Sequence, residues 1–276
     1  MPDVPSVKLA NGVTMPALGF GTSPLEDRKA EAMVAAAIEA GYRLIDTAEA
    51  YRNEEGVGRG IRAGGVDRDE LFVTTKFNQR WHGVEEAQRA AANSAERLGL
   101  DVIDLLLIHW PVPQQNRYVD AWRGMTKLLE DGRVRAIGVS NFKPEHLERL
   151  REETGVVPHV NQIQLDPRIP RIAERAYHEE HGIVTESWSP LGAGGDLLRD
   201  PVIAEIAEAT GKTRGQVVLR WHEQHGLVTI PRTSRPERLA ENLDVFDWQL
   251  SPDDMARLDA LDRQGEGAVD SDRFGH

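Results

Sequence analysis

Four side chains of unlike chemistry stand where apolar runs end. Asp46 follows Tyr42-Arg-Leu-Ile, Tyr51 comes shortly after it, Lys76 follows Leu71-Phe-Val-Thr-Thr, and His109 follows Leu105-Leu-Leu-Ile. Short uninterrupted apolar runs read as buried parallel strands, and in barrels and open α/β sheets the chemistry gathers at the carboxyl ends of such strands. A carboxylate, a phenol, an ammonium and an imidazole brought together there read as acid/base machinery. A phenol with a pKa of about 10 donates poorly to a weakly basic carbonyl oxygen, and a neighbouring ammonium is expected to lower that pKa by stabilising the phenolate. Lys76 suits that part. Asp46 could hold Lys76 in place and keep it charged, and His109 could hydrogen-bond a substrate oxygen as negative charge develops on it. Each residue also has an ordinary explanation: Asp46 as a turn cap, Lys76 as a strand-end ion-pair partner, Tyr51 as packing, His109 before Trp110-Pro111 as a satisfied core histidine. Those explanations are adequate singly; the convergence of all four at one rim favours catalysis.

The elements that must position them can be traced along the chain. Two short strand-like runs flank Asn11-Gly12, the dipeptide best suited to a two-residue hairpin turn, so a hairpin opens the chain. Strand candidates then recur at residues 17–21, 42–47, 71–77, 103–110, 134–139, 159–164, 182–188 and 227–231. Between them lie helical patterns. Val84, Ala87, Ala91, Ala95 and Leu98 follow three-or-four spacing and define one face of a helix over Val84–Leu98. Thr213-Arg-Gly-Gln216 is a capping-box signal, and Ser251-Pro-Asp-Asp starts another helix with proline at its first position. Eight βα units in a chain of 276 residues point to a closed (β/α)8 barrel, an α/β fold of the TIM-barrel type, with residues 1–276 forming one domain. The polar, glycine-containing tail over 265–276 is either frayed or draped over the barrel mouth.

Composition narrows the function classes. Lys and Arg number 33 against 45 Asp and Glu, and the resulting net charge of -12 repels phosphate backbones and argues against nucleic acid as a partner. Without cysteine, disulfides, thiolate catalysis and cysteine-ligated metals are excluded. The start, Met1-Pro-Asp-Val-Pro, has neither a basic region nor an apolar stretch, and no run reaches the roughly 18 apolar residues of a membrane span. The expectation is a soluble cytoplasmic protein with no membrane partner.

Gly56-Val-Gly58-Arg-Gly60 looks like half of a dinucleotide fingerprint, but no strand precedes it, and the glycines are expected to permit close helix packing. There is no P-loop lysine motif and no His-x-His or His-Glu-x-x-His pair, so no metal is expected. His178 and His181, with Glu179 and Glu180 between them, read as a solvated helix end.

At these residues the sequence resembles the aldo-keto reductases. The likeness runs through Leu18-Gly-Phe-Gly-Thr22, Gly41-Tyr-Arg-Leu-Ile-Asp-Thr-Ala48, Tyr51-Arg-Asn-Glu-Glu-Gly-Val-Gly58, Thr75-Lys76, residues 104–111, Ile137-Gly-Val-Ser-Asn-Phe142, Val160-Asn-Gln162, Ser189-Pro-Leu191 and Glu237-Arg-Leu-Ala-Glu-Asn242. The resemblance implies an N-terminal β-hairpin plugging the barrel, a monomer, and NADPH/NADP+ bound extended across the rim. It implies that Asp46, Tyr51, Lys76 and His109 form a catalytic tetrad, with Tyr51 the general acid in reduction and the base in oxidation. Ser140, Asn141 and Gln162 would hydrogen-bond the nicotinamide carboxamide, with Trp188 beneath the ring in place of the tyrosine of animal members. Gly21 and Thr22 would line the cofactor end of the first strand, and Ser189, Leu191 and Gly192 would contact the pyrophosphate. Arg232, in the stretch Arg232-Thr233-Ser234, and Arg238 would recognise the phosphate that distinguishes NADPH, since guanidinium suits bidentate phosphate binding. Glu241 and Asn242 would contact the adenine, while Arg235 is equally well explained as a solvated helix start.

The substrate loops depart from familiar members. Ser23-Pro24 stands where many have an aromatic residue, and Phe77-Asn78 followed by Trp81-His82 where many have leucine and tryptophan. Trp110, Phe77 and Trp81 are the expected substrate contacts, and the short tail implies a broad, open pocket. The resulting expectation is NADPH-dependent reduction of a small-molecule aldehyde, ketone or dicarbonyl, in the bacterial 2,5-diketo-D-gluconate reductase-like group. Two alternatives stand beside it. One is an aldolase using Lys76 as a Schiff-base nucleophile, disfavoured because Asp46 keeps the amine charged. The other is a non-catalytic NADPH-binding redox-sensor subunit.

Overall fold

In the computed structural model, which describes residues 4–275, the chain folds as the alternating pattern requires. Strands β1 (Ser6–Lys8) and β2 (Thr14–Pro16) pair antiparallel. Eight parallel strands follow: β3 (Gly19–Gly21), β4 (Leu44–Asp46), β5 (Phe72–Phe77), β6 (Ile103–Ile108), β7 (Val134–Ser140), β8 (Val160–Gln164), β9 (Val184–Trp188) and β10 (Val228–Thr229). They lie side by side in chain order, and the bridge Leu18 to Thr229, with Thr229 N donating to Ala17 O at 3.0 Å, joins the last strand to the first. The sheet is therefore a closed barrel, the solution that leaves no unpaired edge.

The opening hairpin does not use a two-residue turn. Leu9 N donates to Val13 O at 2.8 Å, so three residues form the loop, and only Gly12 has a positive φ, of 89°. A type I′ turn needs both central residues in that region; here Asn11 stays out of it and instead accepts from Val13 N through its side chain at 3.2 Å. The hairpin closes the barrel's amino-terminal end, where Leu9 and Met15 join Leu44, Leu105, Leu107 and Val160 in the interior core.

Ten helices cover the outside of the described barrel: α1 (Asp27–Ala40), α2 (Glu54–Ala63), α3 (Val84–Leu98), α4 (Tyr118–Glu130), α5 (Pro144–Thr154), α6 (Ile172–Glu180), α7 (Pro201–Thr210), α8 (Arg214–Gln224), α9 (Glu237–Leu243) and α10 (Pro252–Asp259). The α3 face is as its spacing predicts at Ala87, Ala91 and Leu98, which are buried, with Ala90 and Ser94 beside them. The glycines of α2 are a packing device. A Cβ on Gly56 would stand 2.0 Å from Asp27 O of α1, and one on Gly58 2.2 Å from Leu98 O of α3, so a larger residue at either would push the helices apart. Thr213 and Gln216 cap α8 reciprocally, Thr213 N donating to Gln216 Oε1 at 2.9 Å and Gln216 N to Thr213 Oγ1 at 3.2 Å. Ser251 caps α10 by accepting from Asp254 N at 3.1 Å. Among the described residues no helix is long and apolar enough to cross a membrane.

Candidate active site

Strand alternation decides what faces the barrel interior. Successive side chains of a strand point to opposite sides, so on β5 Lys76 faces inward with Phe72, and Phe77 must face the helices. Lys76 is fully buried, and an ammonium in that position persists only if it is paired. It donates to Asp46 Oδ1 at 2.6 Å and Oδ2 at 2.8 Å, and to Thr47 O at 3.0 Å. The Tyr51 hydroxyl, on the 3₁₀ turn Glu49–Tyr51, lies 3.5 Å from Lys76 Nζ. His109, one residue beyond β6, sets its ring edge-to-face with Tyr51, centroids 5.8 Å apart. The four strand-end residues thus meet at one point.

Their electrostatics follow from burial. Burial opposes the Lys76 charge, but the charge of Asp46 and the hydrogen bonds that Lys76 donates to it outweigh that, so the amine is held above its ordinary pKa. Burial raises the Asp46 carboxyl, and Lys76 and Gln162 act against that; with donors on both oxygens, the geometry is that of a carboxylate paired with an ammonium. Tyr51 departs from the expected direction. Desolvation raises its pKa, and Lys76 offsets that only in part while Asp46 adds to it. The phenol is a proton carrier at neutral pH.

A cavity of about 520 Å³ opens above this group. Tyr51, His109, Asp46, Gly21, Ser140, Asn141, Gln162, Trp188, Ser189, Leu191, Arg232 and Trp110 line it. Asn141 has a φ of 64°, and its amide is spent on its surroundings: it donates to His109 O at 3.1 Å and accepts the Trp188 indole N–H at 2.8 Å. Trp188 is thereby tied to the loop after β7. The backbone of that loop is clamped in turn by Asn161, whose Nδ2 donates to Phe142 O at 2.8 Å. Asn161 also meets His178 Nε2 at 2.9 Å, and His178 Nδ1 lies 2.8 Å from Thr185 Oγ1. His178 is therefore not a solvated helix-end residue. It is fully buried between α6 and the barrel wall, where burial lowers its pKa to about 4, and His181 stacks on Tyr177. Its neighbouring glutamates made the segment look exposed, whereas the barrel-facing side of α6 is set by its docking on β8 and β9.

Several expected contacts lie elsewhere. Phe77 is buried behind the wall with Ala87, Tyr118 and Trp122, and cannot touch a ligand in the cavity. Trp81 is off the cavity wall, its indole N–H held by both oxygens of Glu49 at 3.0 and 2.9 Å and its ring covered by Arg80. Thr22 is fully buried and donates its hydroxyl to Asp46 O at 3.0 Å, which places it behind the first strand. Gly192 stands beside the wall against Leu197. Beyond Arg232, Thr233 is buried and caps its own turn by accepting from Arg235 N at 3.0 Å, while Ser234, Arg235 and Arg238 are exposed. Glu241 accepts from the Thr213 hydroxyl at 2.8 Å, and Asn242 is buried beside the Tyr42 hydroxyl. Ser23, Pro24, Pro190, Ala193, Gly194, Ile230 and Pro231 complete the lining. The loop residues among them carry no periodic signal.

The described part of the tail, residues 265–275, is draped at the mouth. Phe274 packs edge-on to Trp110 at 4.9 Å, a Cβ on Gly275 would meet Trp110 Cβ at 3.2 Å, and Lys143 pairs with Asp270 at 2.8 Å. His276 lies outside the described residues. The short tail therefore still covers one edge of a pocket expected to be open.

Known proteins resemble the chain over nearly its whole length. The profile of the Aldo/keto reductase family matches residues 15–263. The chain is 49% identical over 263 residues to 2,5-diketo-D-gluconic acid reductase B of Corynebacterium sp. (strain SHS752001), covering 95% of each. It is 48% identical over 270 residues to morphine 6-dehydrogenase of Pseudomonas putida, covering 94% of this chain and 91% of that one. A crystal structure of a Gox0644 mutant in complex with NADPH superposes with a TM-score of 0.93 at 45% identity, covering 98% of this chain and 97% of that one.

Proposed function

The chain belongs to the aldo/keto reductase family, and from that premise we propose that it reduces aldehyde, ketone or dicarbonyl substrates to alcohols with NADPH, Tyr51 acting as general acid. One observation carries the assignment of roles: the Lys76 ammonium, doubly bonded to Asp46, stands 3.5 Å from the Tyr51 hydroxyl at the floor of the cavity.

The residues suit the cofactor. Gln162 lines the cavity with both amide protons already committed, so its Oε1 is available to accept from a carboxamide, and Ser140 and Asn141 stand beside it. Arg232 sits at the far end of the same cavity with no carboxylate partner among the described residues, which suits a phosphate. NADPH, when bound, supplies the hydride. Everything else is done by the chain. Tyr51 donates the proton to the carbonyl oxygen, and Lys76 stabilises the phenolate that remains. Asp46 prevents Lys76 from losing its charge or position, and His109 offers a hydrogen bond to the same oxygen as charge builds on it, an arrangement that needs no reorganisation during the reaction. In oxidation the same phenolate takes the alcohol proton. We read residues 1–276 as one catalytic domain acting as a monomer, because a single chain closes the barrel and supplies the whole cavity wall.

Substrate breadth follows from the lining. The named relatives act on molecules as unlike as a sugar-derived diketo acid and morphine, at almost equal identity to this chain. Here the mouth is bordered by Ser23, Pro24, Trp110 and Ala193; among the described lining residues Asp46, held by Lys76 at the floor, and Arg232, toward the phosphate end, carry charge, so uncharged carbonyls fit the lining. The test is NADPH consumption against a panel of aldehydes, ketones and dicarbonyls, with Tyr51→Phe as control. Turnover that the variant loses is expected. Tight NADPH binding without turnover on any carbonyl would overturn the reading in favour of a sensor.

A further inference from the structure

The reaction as derived does not use one ionisable group buried beside it. Glu186 is fully buried on β9, and it faces the barrel interior because it is two residues before Trp188, which lines the cavity. Its register partner on β8 is Gln162. Gln162 Nε2 donates to Glu186 Oε2 at 2.7 Å and to Asp46 Oδ2 at 2.8 Å. One amide group therefore bridges two carboxyl groups. That settles which way the amide points, since its carbonyl oxygen turned to the same place would face the Asp46 carboxylate, which can only accept.

We propose that Glu186 is a positioning residue for the hydride-transfer reaction: through Gln162 it sets which amide atom faces the carboxamide of the cofactor and braces Asp46 against Lys76. This rests on the reading of the cavity as the nicotinamide site. With Glu186 in place Gln162 is an acceptor toward the cavity, matched to the N–H of a carboxamide. Without it the amide is held from one side only and can turn.

The charge state of the group adds a second consequence. The ionisable groups that face Glu186 are Asp46 from β4 and Lys76 from β5; its neighbours on β8 and β10 are Gln162 and Val228. If both carboxyls were ionised, this buried volume would hold two anions against one cation, and Glu186 Oε1 has no hydrogen-bond partner among the described residues to compensate. Glu186 is instead kept as a neutral acid, burial and then the Asp46 charge pushing its pKa up to about 8. Ionisation above that pH places a second anion on the amide and disturbs the Asp46–Lys76 pair.

Two variants separate position from charge. Glu186→Gln keeps an acceptor for Gln162 but cannot ionise; Glu186→Leu removes both. Wild type is expected to show a limb in the pH profile of kcat near pH 8. Glu186→Gln is expected to lose that limb and to lose less kcat at pH 7 than Glu186→Leu. Glu186→Leu is expected to lose about tenfold in kcat, the size of one hydrogen bond forfeited, with weaker NADPH binding. Should the leucine variant fail to fold, the pH profile of Glu186→Gln decides. Identical profiles in wild type and Glu186→Gln, or kcat losses equal in the two variants, overturn the proposal. If wild type neither binds NADPH nor reduces a carbonyl, the functional reading itself has failed, and this inference falls with it.

Discussion

The floor and the far end of the cavity are built on opposite principles. At the floor, Lys76, Asp46 and Gln162 are buried and their donors are spent within the chain, on one another, on Thr47 O and on Glu186. At the far end Arg232, with Arg235 and Arg238 beyond it, is exposed and pairs with no carboxylate among the described residues, although the chain carries a net charge of -12. The floor is paired within the chain, whereas the arginines are left without carboxylate partners among the described residues. On the proposed function, charges in the first region would act at full strength on a developing oxyanion, whereas those in the second would be screened and would contribute mainly to affinity.

The strongest way to break this contrast is at the floor. Tyr51→Phe should lower kcat by about 10²–10⁴-fold, the usual worth of a positioned proton donor, with NADPH affinity nearly unchanged in a fluorescence titration. A loss of affinity instead of turnover would mean that floor and far end are not distinct. The pH dependence sharpens the same point: because the Tyr51 pKa is raised, reduction by the Glu186→Gln variant, which lacks the limb near pH 8, should persist up to alkaline pH and fall only as the phenol ionises, while oxidation should rise over that range. A control for both regions is Phe77, adjacent to Lys76 in sequence but behind the wall. Phe77→Ala should destabilise the fold by about 3–5 kcal/mol in urea, with little change in the KM for any carbonyl. A changed substrate preference with unchanged stability would return Phe77 to the pocket.

At the far end, Arg232→Ala should weaken NADPH by about 10–100-fold and leave NADH almost unaffected, as expected for one charge-assisted contact to phosphate. Equal losses with both cofactors would place Arg232 away from the distinguishing phosphate. The smallest effect concerns the scaffold. Burial lowers His178, and His222, which is fully buried on α8 with its Nδ1 2.8 Å from Val218 O, to about 4, below their value of 6.5 in the unfolded chain. A depressed imidazole favours folding while it is neutral, so that contribution is complete above pH 6.5 and is lost as the pH falls toward 4. The slope should be at most about 1.4 kcal/mol per pH unit for each imidazole. A Tm that stays level across that window would show that neither ring is buried as described.

Much of this was legible without coordinates, for identifiable reasons. The barrel strands could be placed because buried parallel strands are apolar on both faces, so a charged residue at a strand end stands out. The α2 glycines could be separated from a nucleotide loop because no strand precedes them. Other features were hidden. Phe77 and Trp81 were expected at the substrate because they stand where many relatives carry a leucine and a tryptophan after the lysine strand, yet the two-residue period that sends Lys76 inward sends Phe77 outward, and Glu49 holds the Trp81 indole off the wall. The same period held an unused signal: Glu186 is two residues from Trp188 and had to face the same side. His178 looked solvated from its neighbours, and only the docking of α6 buries it.

What the amino-acid sequence determined by itself was the alternation of strands and helices, the strand ends at which Asp46, Lys76 and His109 fall, and the local caps of α8 and α10. These depend on periodicity and short-range hydrogen bonding, which are written in neighbouring residues. Only the tertiary structure decided that Gln162 joins Asp46 to Glu186, that Asn161 and His178 clamp the loop after β7, that the tail rests on Trp110, and that the Tyr51 pKa rises. Each of those joins residues far apart in the chain, and the strength of a charge or a hydrogen bond there is set by how much water the closed barrel excludes.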